Sequence, residues 1–175
     1  MEELARLGEG LDCRRTGPSF VRAGKSACAT GAQVAHVFWC VAHRLPMRAT
    51  EEIEAVANRG FSGCAHAQPG GLRQVLLMDL ETLEEMQLRP GEIKENITTR
   101  GLELRGLRPG QRLRIGEALV EVTVPCEPCK RMEEIRAGLK CELRGRRGML
   151  CRVMEGGRIR AGDPIVALDY ERVGA

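Results

Sequence analysis

The residues best suited to chemistry lie in Val122-Thr-Val-Pro-Cys-Glu-Pro-Cys-Lys-Arg-Met132, where two cysteines, Cys126 and Cys129, stand two residues apart. Thiols at that spacing serve thiol–disulfide exchange, a metal clip, or a single working thiolate that carries sulfur or binds a soft metal. The order of a strand, C-x-P-C-K and a helix invites the first. A thiol at a helix N-terminus beside Lys130 and Arg131 has its thiolate favoured by the dipole and the cations. Too few residues follow Cys129 for a thioredoxin, however, and they read as β hairpins. A structural zinc site wants a second close pair, but Cys141 and Cys151 are well separated and Cys64-Ala-His66 lies in a distant loop. A single thiolate fits the pattern, and spacing favours neither cysteine.

The elements that must position these thiols follow from the rest of the chain. Its 175 residues suit one domain, and 43% hydrophobic with 29% charged residues is the balance of a soluble globule. With 3% aromatic residues, the core is aliphatic and base stacking has little to work with. A net charge of +3 is too small to imply nucleic acid as a partner. The start, Met1-Glu-Glu-Leu-Ala-Arg6, has neither the basic nor the apolar region of a secretory signal. The apolar stretch Ala32–Ala42 is broken by Gln33 and His36 and is too short to span a bilayer. A cytosolic protein with no membrane partner is expected. In that reducing setting Cys13, Cys28, Cys40, Cys141 and Cys151 read as structural thiols.

Residues 1–30 are rich in Gly, Arg and Ser and read as an N-terminal extension, with residues 31–175 as the domain. Val34–Val41 and Leu72–Met78 are expected strands. Thr50 is expected to cap a short helix with Glu51 and Glu52 in its first turn and Gly60 near its end, and Asp79–Met86 and Arg131–Ala137 are two more helices. Arg112–Ile115 and Ala118–Val124 alternate around Gly116-Glu117, a hairpin signal. Met149–Met154 and Arg158–Arg160 flank Glu155-Gly-Gly157, and Pro164–Leu168 follows. Short strands with three brief helices predict a mainly β, α+β fold of barrel type, not a doubly wound sheet.

Several motifs occur in a fixed order: Gly63-Cys-Ala-His66, Arg73-Gln-Val75, Glu95-Asn-Ile-Thr98, Gly110-Gln-Arg-Leu-Arg-Ile-Gly116, Pro125-Cys-Glu-Pro-Cys129, Arg152-Val-Met-Glu-Gly-Gly157 and Gly162-Asp-Pro164. Over about residues 31–170 this set resembles the MOSC domain, the molybdenum cofactor sulfurase C-terminal domain, in a small stand-alone form. The resemblance implies a β-barrel with a few short helices and binding of the molybdenum cofactor (molybdopterin). The pterin of that cofactor carries a phosphate, and its metal accepts a cysteine thiolate. Relatives work beside a pyridoxal-phosphate-dependent cysteine desulfurase in sulfurating the cofactor, or form part of a reductase of N-hydroxylated compounds fed by an electron donor. For this chain the resemblance implies a molybdenum ligand or sulfur carrier in cofactor sulfuration or delivery, with the cofactor's biosynthetic or acceptor enzymes as partners. A reductase component and a thiol–disulfide redox protein are the alternatives. As an enzyme it would be a sulfur transferase or a molybdenum-dependent oxidoreductase.

By the same resemblance, Cys129 occupies the position of the functional cysteine and is the expected molybdenum ligand or sulfur carrier, with Cys126 as an assisting or resolving thiol. Asn96 matches an asparagine near the cofactor, and the Thr98 hydroxyl is placed to meet an anionic oxygen. His66 and Arg73 match cofactor-binding elements, Arg73 being suited to a bidentate phosphate contact. Cys64 stands where relatives usually have Asp, so the loop lacks that carboxylate. Arg105, Arg108, Arg112 and Arg114, with Arg144, Arg146 and Arg147, form two basic clusters that read as a solvated face able to greet a phosphate or an acidic partner.

Overall fold

A computed structural model describes residues 31–168; the extension expected over residues 1–30, with Cys13 and Cys28, lies outside them. The strands in chain order are β1 (Gln33–Trp39), β2 (Arg48–Thr50), β3 (Glu52–Val56), β4 (Gly60–Phe61), β5 (Val75–Asp79), β6 (Ile97–Arg100), β7 (Arg112–Ile115), β8 (Ala118–Pro125), β9 (Met149–Glu155), β10 (Gly157–Arg160) and β11 (Ile165–Ala167). The helices are α1 (Leu80–Glu85), α2 (Arg131–Ile135) and α3 (Leu139–Glu142), with a single 3-10 turn at Leu104–Gly106. The fold is mainly β with α+β character, as the short alternating runs predict.

An eight-stranded sheet runs in the order β11-β7-β8-β9-β5-β6-β1-β2, and β10-β3-β4 form a second, three-stranded one. Among the described residues only β5 and β6 pair in parallel, joined by a crossover that contains α1. The apolar run of β5 explains its central place. Val75 and Leu77 enter the main core, whereas Met78 faces a second cluster with Leu83, Ile93, Met132, Leu139 and Leu143. A strand covered on both faces needs a continuous apolar run rather than alternation.

The expected barrel is corrected: among the described residues the large sheet does not close. Strand β2 pairs with Val37–Trp39 on β1. That leaves one bridge, Gln33 to Pro164, between the opposite ends of the ladder. It is flanked by Val34 N–H donating to Asp163 O at 2.9 Å and Ile165 N–H to Ala32 O at 2.8 Å.

The helix expected after Thr50 is also corrected. Ile53 and Ala55 are buried while Glu52 and Glu54 are exposed, a period of two that makes β3. The Thr50 hydroxyl donates to Glu52 O at 2.9 Å instead of capping a helix. By contrast Asp79 caps α1 as expected, its Oδ2 accepting from Thr82 N–H at 2.9 Å. The residues after Cys129 supply α2 and α3 before any strand. Strands β9 and β10 do not pair with each other: the chain changes sheet at Gly156, and β10 pairs with β3. The β7–β8 hairpin forms in the expected register, Ile115 opposite Ala118, with Gly116 at φ +53°.

Candidate functional site

Strand β8 delivers the cysteines. It pairs with β9 as far as Pro125 opposite Met149, and Cys126 N–H then donates to Gly148 O at 3.0 Å. That close approach requires glycine: Gly148 has φ +81°, and a Cβ there would lie 1.9 Å from Leu77 O. Cys126 is 3% exposed and packs with Leu76 and Leu150. Cys129 is exposed, and its carbonyl accepts from Met132 N–H at 3.0 Å as α2 begins. Helix α2 is five residues long with Glu133 and Glu134 in its first turn, so the dipole expected from sequence has little length behind it. The nearby cations are what remains of that argument.

The principal partner of Cys126 is Arg147, assigned by its position to a basic surface cluster but in fact 7% exposed. Its Nη1 donates to Cys126 Sγ and its Nη2 to Ile93 O at 2.9 Å, while its Nε is buried without a partner. Burial pushes the Cys126 thiol up; the guanidiniums of Arg147 and then Arg73 pull it back, and Cys129 adds to the rise. Arg73, itself exposed, thus stands in electrostatic reach of the cysteine pair.

A second group surrounds His66. Its ring is tilted against that of His43, with centroids 5.7 Å apart. Burial pushes the His66 imidazole down, and His43, Lys94 and Arg131 push the same way. Lys94 is held by burial and by Arg131 below the usual ammonium range. Lys94 Nζ donates to Leu45 O at 2.6 Å and Arg131 Nη2 to Arg44 O at 3.1 Å, which ties the 41–47 loop to both elements. Between them opens a groove of about 580 Å³, lined by Arg44, Met47, Arg89, Pro90, Lys94 and Arg131 among others. Among the described residues no carboxylate lies within ion-pair distance of Arg44, Lys94 or Arg131. Glu92 and Glu134 line the same groove, and Arg89 pairs with Glu92 at 3.9 Å; in a cleft of about 480 Å³ beside Arg136 and Arg146 both of these cations are paired, with Glu142 and Glu85.

Asn96 and Thr98 lie beneath these groups. Asn96 is 3% exposed. Its Oδ1 accepts from Leu76 N–H at 3.1 Å, and its Nδ2 donates toward Phe38 O at 3.5 Å and Cys64 Sγ at 3.8 Å. Thr98 is buried and its hydroxyl donates to Glu95 Oε1 at 3.2 Å. Glu95 is fully buried, with Oε1 also accepting from Gly91 N–H and Oε2 left without a partner. Burial pushes its carboxyl up, opposed by those hydrogen bonds and by the charge of Arg147.

The structure therefore brings Cys126, Cys129 and Arg73 into one neighbourhood and His66 into another, linked through Arg131 two residues after Cys129. It gives Asn96 and Thr98 partners within the protein. Residues that sequence reasoning passed over are His43, Arg44 and Lys94, while Arg131 reads from sequence only as a cation beside the thiols and Arg147 only as part of a basic surface cluster. Lys94 directly precedes the E-N-I element, a position that could have drawn attention to it. Cys40 and Cys151 are buried as read, while Cys141, on α3, is exposed. Among the described residues no group of three or more His, Cys, Asp or Glu is placed to hold a metal ion, so the C-x-x-C pair lacks the second half of a zinc clip. No helix among them is long and apolar enough to cross a membrane.

Among solved structures, YuaD from Bacillus subtilis matches with a TM-score of 0.69 at 17% identity, covering 80% of this chain and 97% of that one. YiiM from Geobacillus stearothermophilus matches with a TM-score of 0.68 at 18% identity, over 82% of this chain and 78% of that one. YiiM from Escherichia coli gives 0.61 at 19%, over 79% and 71%. At such identities the likeness is one of fold. No curated protein matches the sequence. The MOSC domain model matches residues 73–166, more than half of the chain and a span that holds Arg73, Asn96, Cys126, Cys129 and Arg147; the chain belongs to the MOSC domain family.

Proposed function

We propose that this protein binds the molybdenum cofactor and acts in its sulfuration or delivery, with the Cys129 thiolate as molybdenum ligand or sulfur carrier. The observation that carries the reading is an exposed thiol two residues from Arg131, which lines a groove whose cations Arg44, Lys94 and Arg131 have no carboxylate partner within ion-pair distance among the described residues. The residues fit the group: a groove of about 580 Å³ accommodates a compact pterin, and cations lacking a counter-ion suit its phosphate. When bound, the cofactor supplies a soft, high-valent metal centre to which a thiolate or a sulfur atom can be joined.

The chain's own residues do the positioning. Arg44, Lys94 and Arg131 draw the anion into the groove, and Arg73 adds positive potential on the side of the cysteines. His66, kept neutral by burial and its cationic neighbours, offers a ring nitrogen as acceptor or donor without adding charge. Asn96 and Thr98 act from below by holding β5, β1 and Glu95 in register. Cofactor-biosynthetic or acceptor enzymes, or a cysteine desulfurase, are the partners that this chemistry requires.

Anaerobic purification followed by molybdenum and pterin analysis tests the reading. Bound molybdenum and pterin in the unaltered chain, lost in Cys129→Ser, are expected. Neither metal nor pterin, or contents that the substitution leaves unchanged, would remove it.

A further inference from the structure

Cys126 has a feature that a merely structural thiol lacks. Cys151 is also buried, and there a charge, that of Glu121, adds to the strong upward push of burial. Cys126 instead touches a buried guanidinium. Arg147 makes no ion pair with a carboxylate among the described residues, its Nε has no partner, and the one anion-capable group that it contacts is Cys126 Sγ. A buried cation costs several kcal/mol unless negative charge meets it, and the carboxyl that Arg147 acts on, Glu95, is pushed by burial toward its neutral form, so the guanidinium is left to meet charge elsewhere. Here that charge would develop on sulfur.

The pair is also unequal in access. Cys129 is open to an incoming sulfur donor, whereas Cys126 is 3% exposed and shielded from it. Their sulfurs are in electrostatic reach of each other, and residues 127 and 128 between them belong to no helix or strand. An accessible acceptor with a sheltered thiol behind it is the arrangement of a nucleophile and its resolving partner.

We infer that Cys126 is the resolving thiol of a sulfur-release step: it attacks a persulfide carried on Cys129 and expels hydrosulfide, with Arg147 stabilising the charge on its sulfur. This rests on the sulfur-carrier form of the proposed function. In the step, Cys126 Sγ forms a bond to Cys129 Sγ while the bond from Cys129 Sγ to the outer sulfur breaks. The outer sulfur leaves with the electron pair, reduced to sulfide, while the Cys126 sulfur is oxidised and the Cys129 sulfur, already at the persulfide level, becomes the other half of the disulfide. The Cys126 proton ends on the departing hydrosulfide. A dithiol reductant then returns both thiols to the starting state.

The test loads the reduced full-length chain with sodium polysulfide, removes the excess, and follows intact mass and released hydrosulfide, with disulfide mapping of the product. The unaltered chain should lose the added sulfur, form the Cys126–Cys129 disulfide, and do so at a rate independent of protein concentration. Cys126→Ser should retain the sulfur on Cys129 about tenfold longer or more. Arg147→Gln should slow release and Arg147→Lys restore part of it, which a packing role for Arg147 would not produce. Mapping on the unaltered chain keeps the test decisive if the Arg147 variants fail to fold. A persulfide on Cys129 that decays equally with and without Cys126, or without the disulfide, overturns this inference alone. A Cys129 that takes up no sulfur overturns the carrier reading and this step with it.

Discussion

Replacing Asn96 by alanine separates two roles for a buried residue that the motif resemblance leads one to expect near the cofactor. Its amide accepts from Leu76 N–H at 3.1 Å and donates more weakly toward Phe38 O at 3.5 Å and Cys64 Sγ at 3.8 Å. Alanine strands the Leu76 N–H in a strand that carries the core, and an unsatisfied buried donor costs about 1–3 kcal/mol. With the weaker contacts and the small void, the total is about 2–4 kcal/mol. For a chain of this size each kcal/mol lowers Tm by about 2–4 °C, so a drop of roughly 5–15 °C is expected. Thermal and urea denaturation followed by circular dichroism reads the stability, and anion binding of the folded fraction is measured beside it. Asn96→Asp keeps the acceptor but turns a carboxylate toward Phe38 O, so it should be at least as damaging at neutral pH and recover toward acid. An Asn96→Ala variant within about 0.5 kcal/mol of the parent that has nonetheless lost ligand binding would refute the structural assignment and return the amide to the cofactor.

Glu95→Gln tests the buried carboxyl. Because burial raises its folded value above the usual 4.5, the native state holds the proton more tightly than the unfolded chain does. Its contribution is therefore present at acid pH and is lost as pH rises toward the folded value. The variant should gain on the parent through that window by up to about 1.4 kcal/mol per pH unit, and parallel stability–pH curves would contradict it. Gly148→Ala places a methyl 1.9 Å from Leu77 O at a φ of +81° and pushes apart the β5–β9 pair that supports Cys126. A loss of about 3 kcal/mol or more in denaturant unfolding is expected, and a variant as stable as the parent would show that the strands yield there.

What could be read from the sequence is what depends on near neighbours along the chain. Asp79 caps α1 because its partner is three residues away, and the β7–β8 hairpin closes on its own turn. Thr50-Glu-Glu carries the same kind of cap signal, but the alternation Glu52-Ile-Glu-Ala-Val56 outweighs it once Ile53 and Ala55 find a core. The partner of β10 lies about a hundred residues earlier, so no local signal could have named β3. The same holds within the site. The C-x-x-C spacing treats both cysteines alike, and their inequality arises only when Cys126 is pinned to Gly148 and Arg147 turns inward. Arg147 has the sequence surroundings of a surface residue, and only the fold reveals its burial.

Cys64, a position where the motif resemblance leads one to expect an aspartate, shows how a thiol in place of a carboxylate sets the electrostatics around it. It is 6% exposed, and its sulfur accepts from Cys40 N–H at 3.4 Å and from Asn96 Nδ2 at 3.8 Å. Two donors thus converge on the thiol. A carboxylate would form shorter, charge-assisted bonds with them. It would also set a negative charge two residues from His66, favouring the imidazolium. A thiol is a weak acceptor and keeps the position filled without that charge. The effects recorded on His66 accordingly come from burial, His43, Lys94 and Arg131, and all of them favour the neutral ring. The loop then has no acid–base pair with which to move a proton, and the positive potential of Arg44, Lys94 and Arg131 is not offset by a carboxylate at residue 64. Under the proposed function, the Arg44, Lys94 and Arg131 side of the groove, which Glu92 and Glu134 also line, would hold the anion, and the chemistry would fall to Cys129, two residues from Arg131.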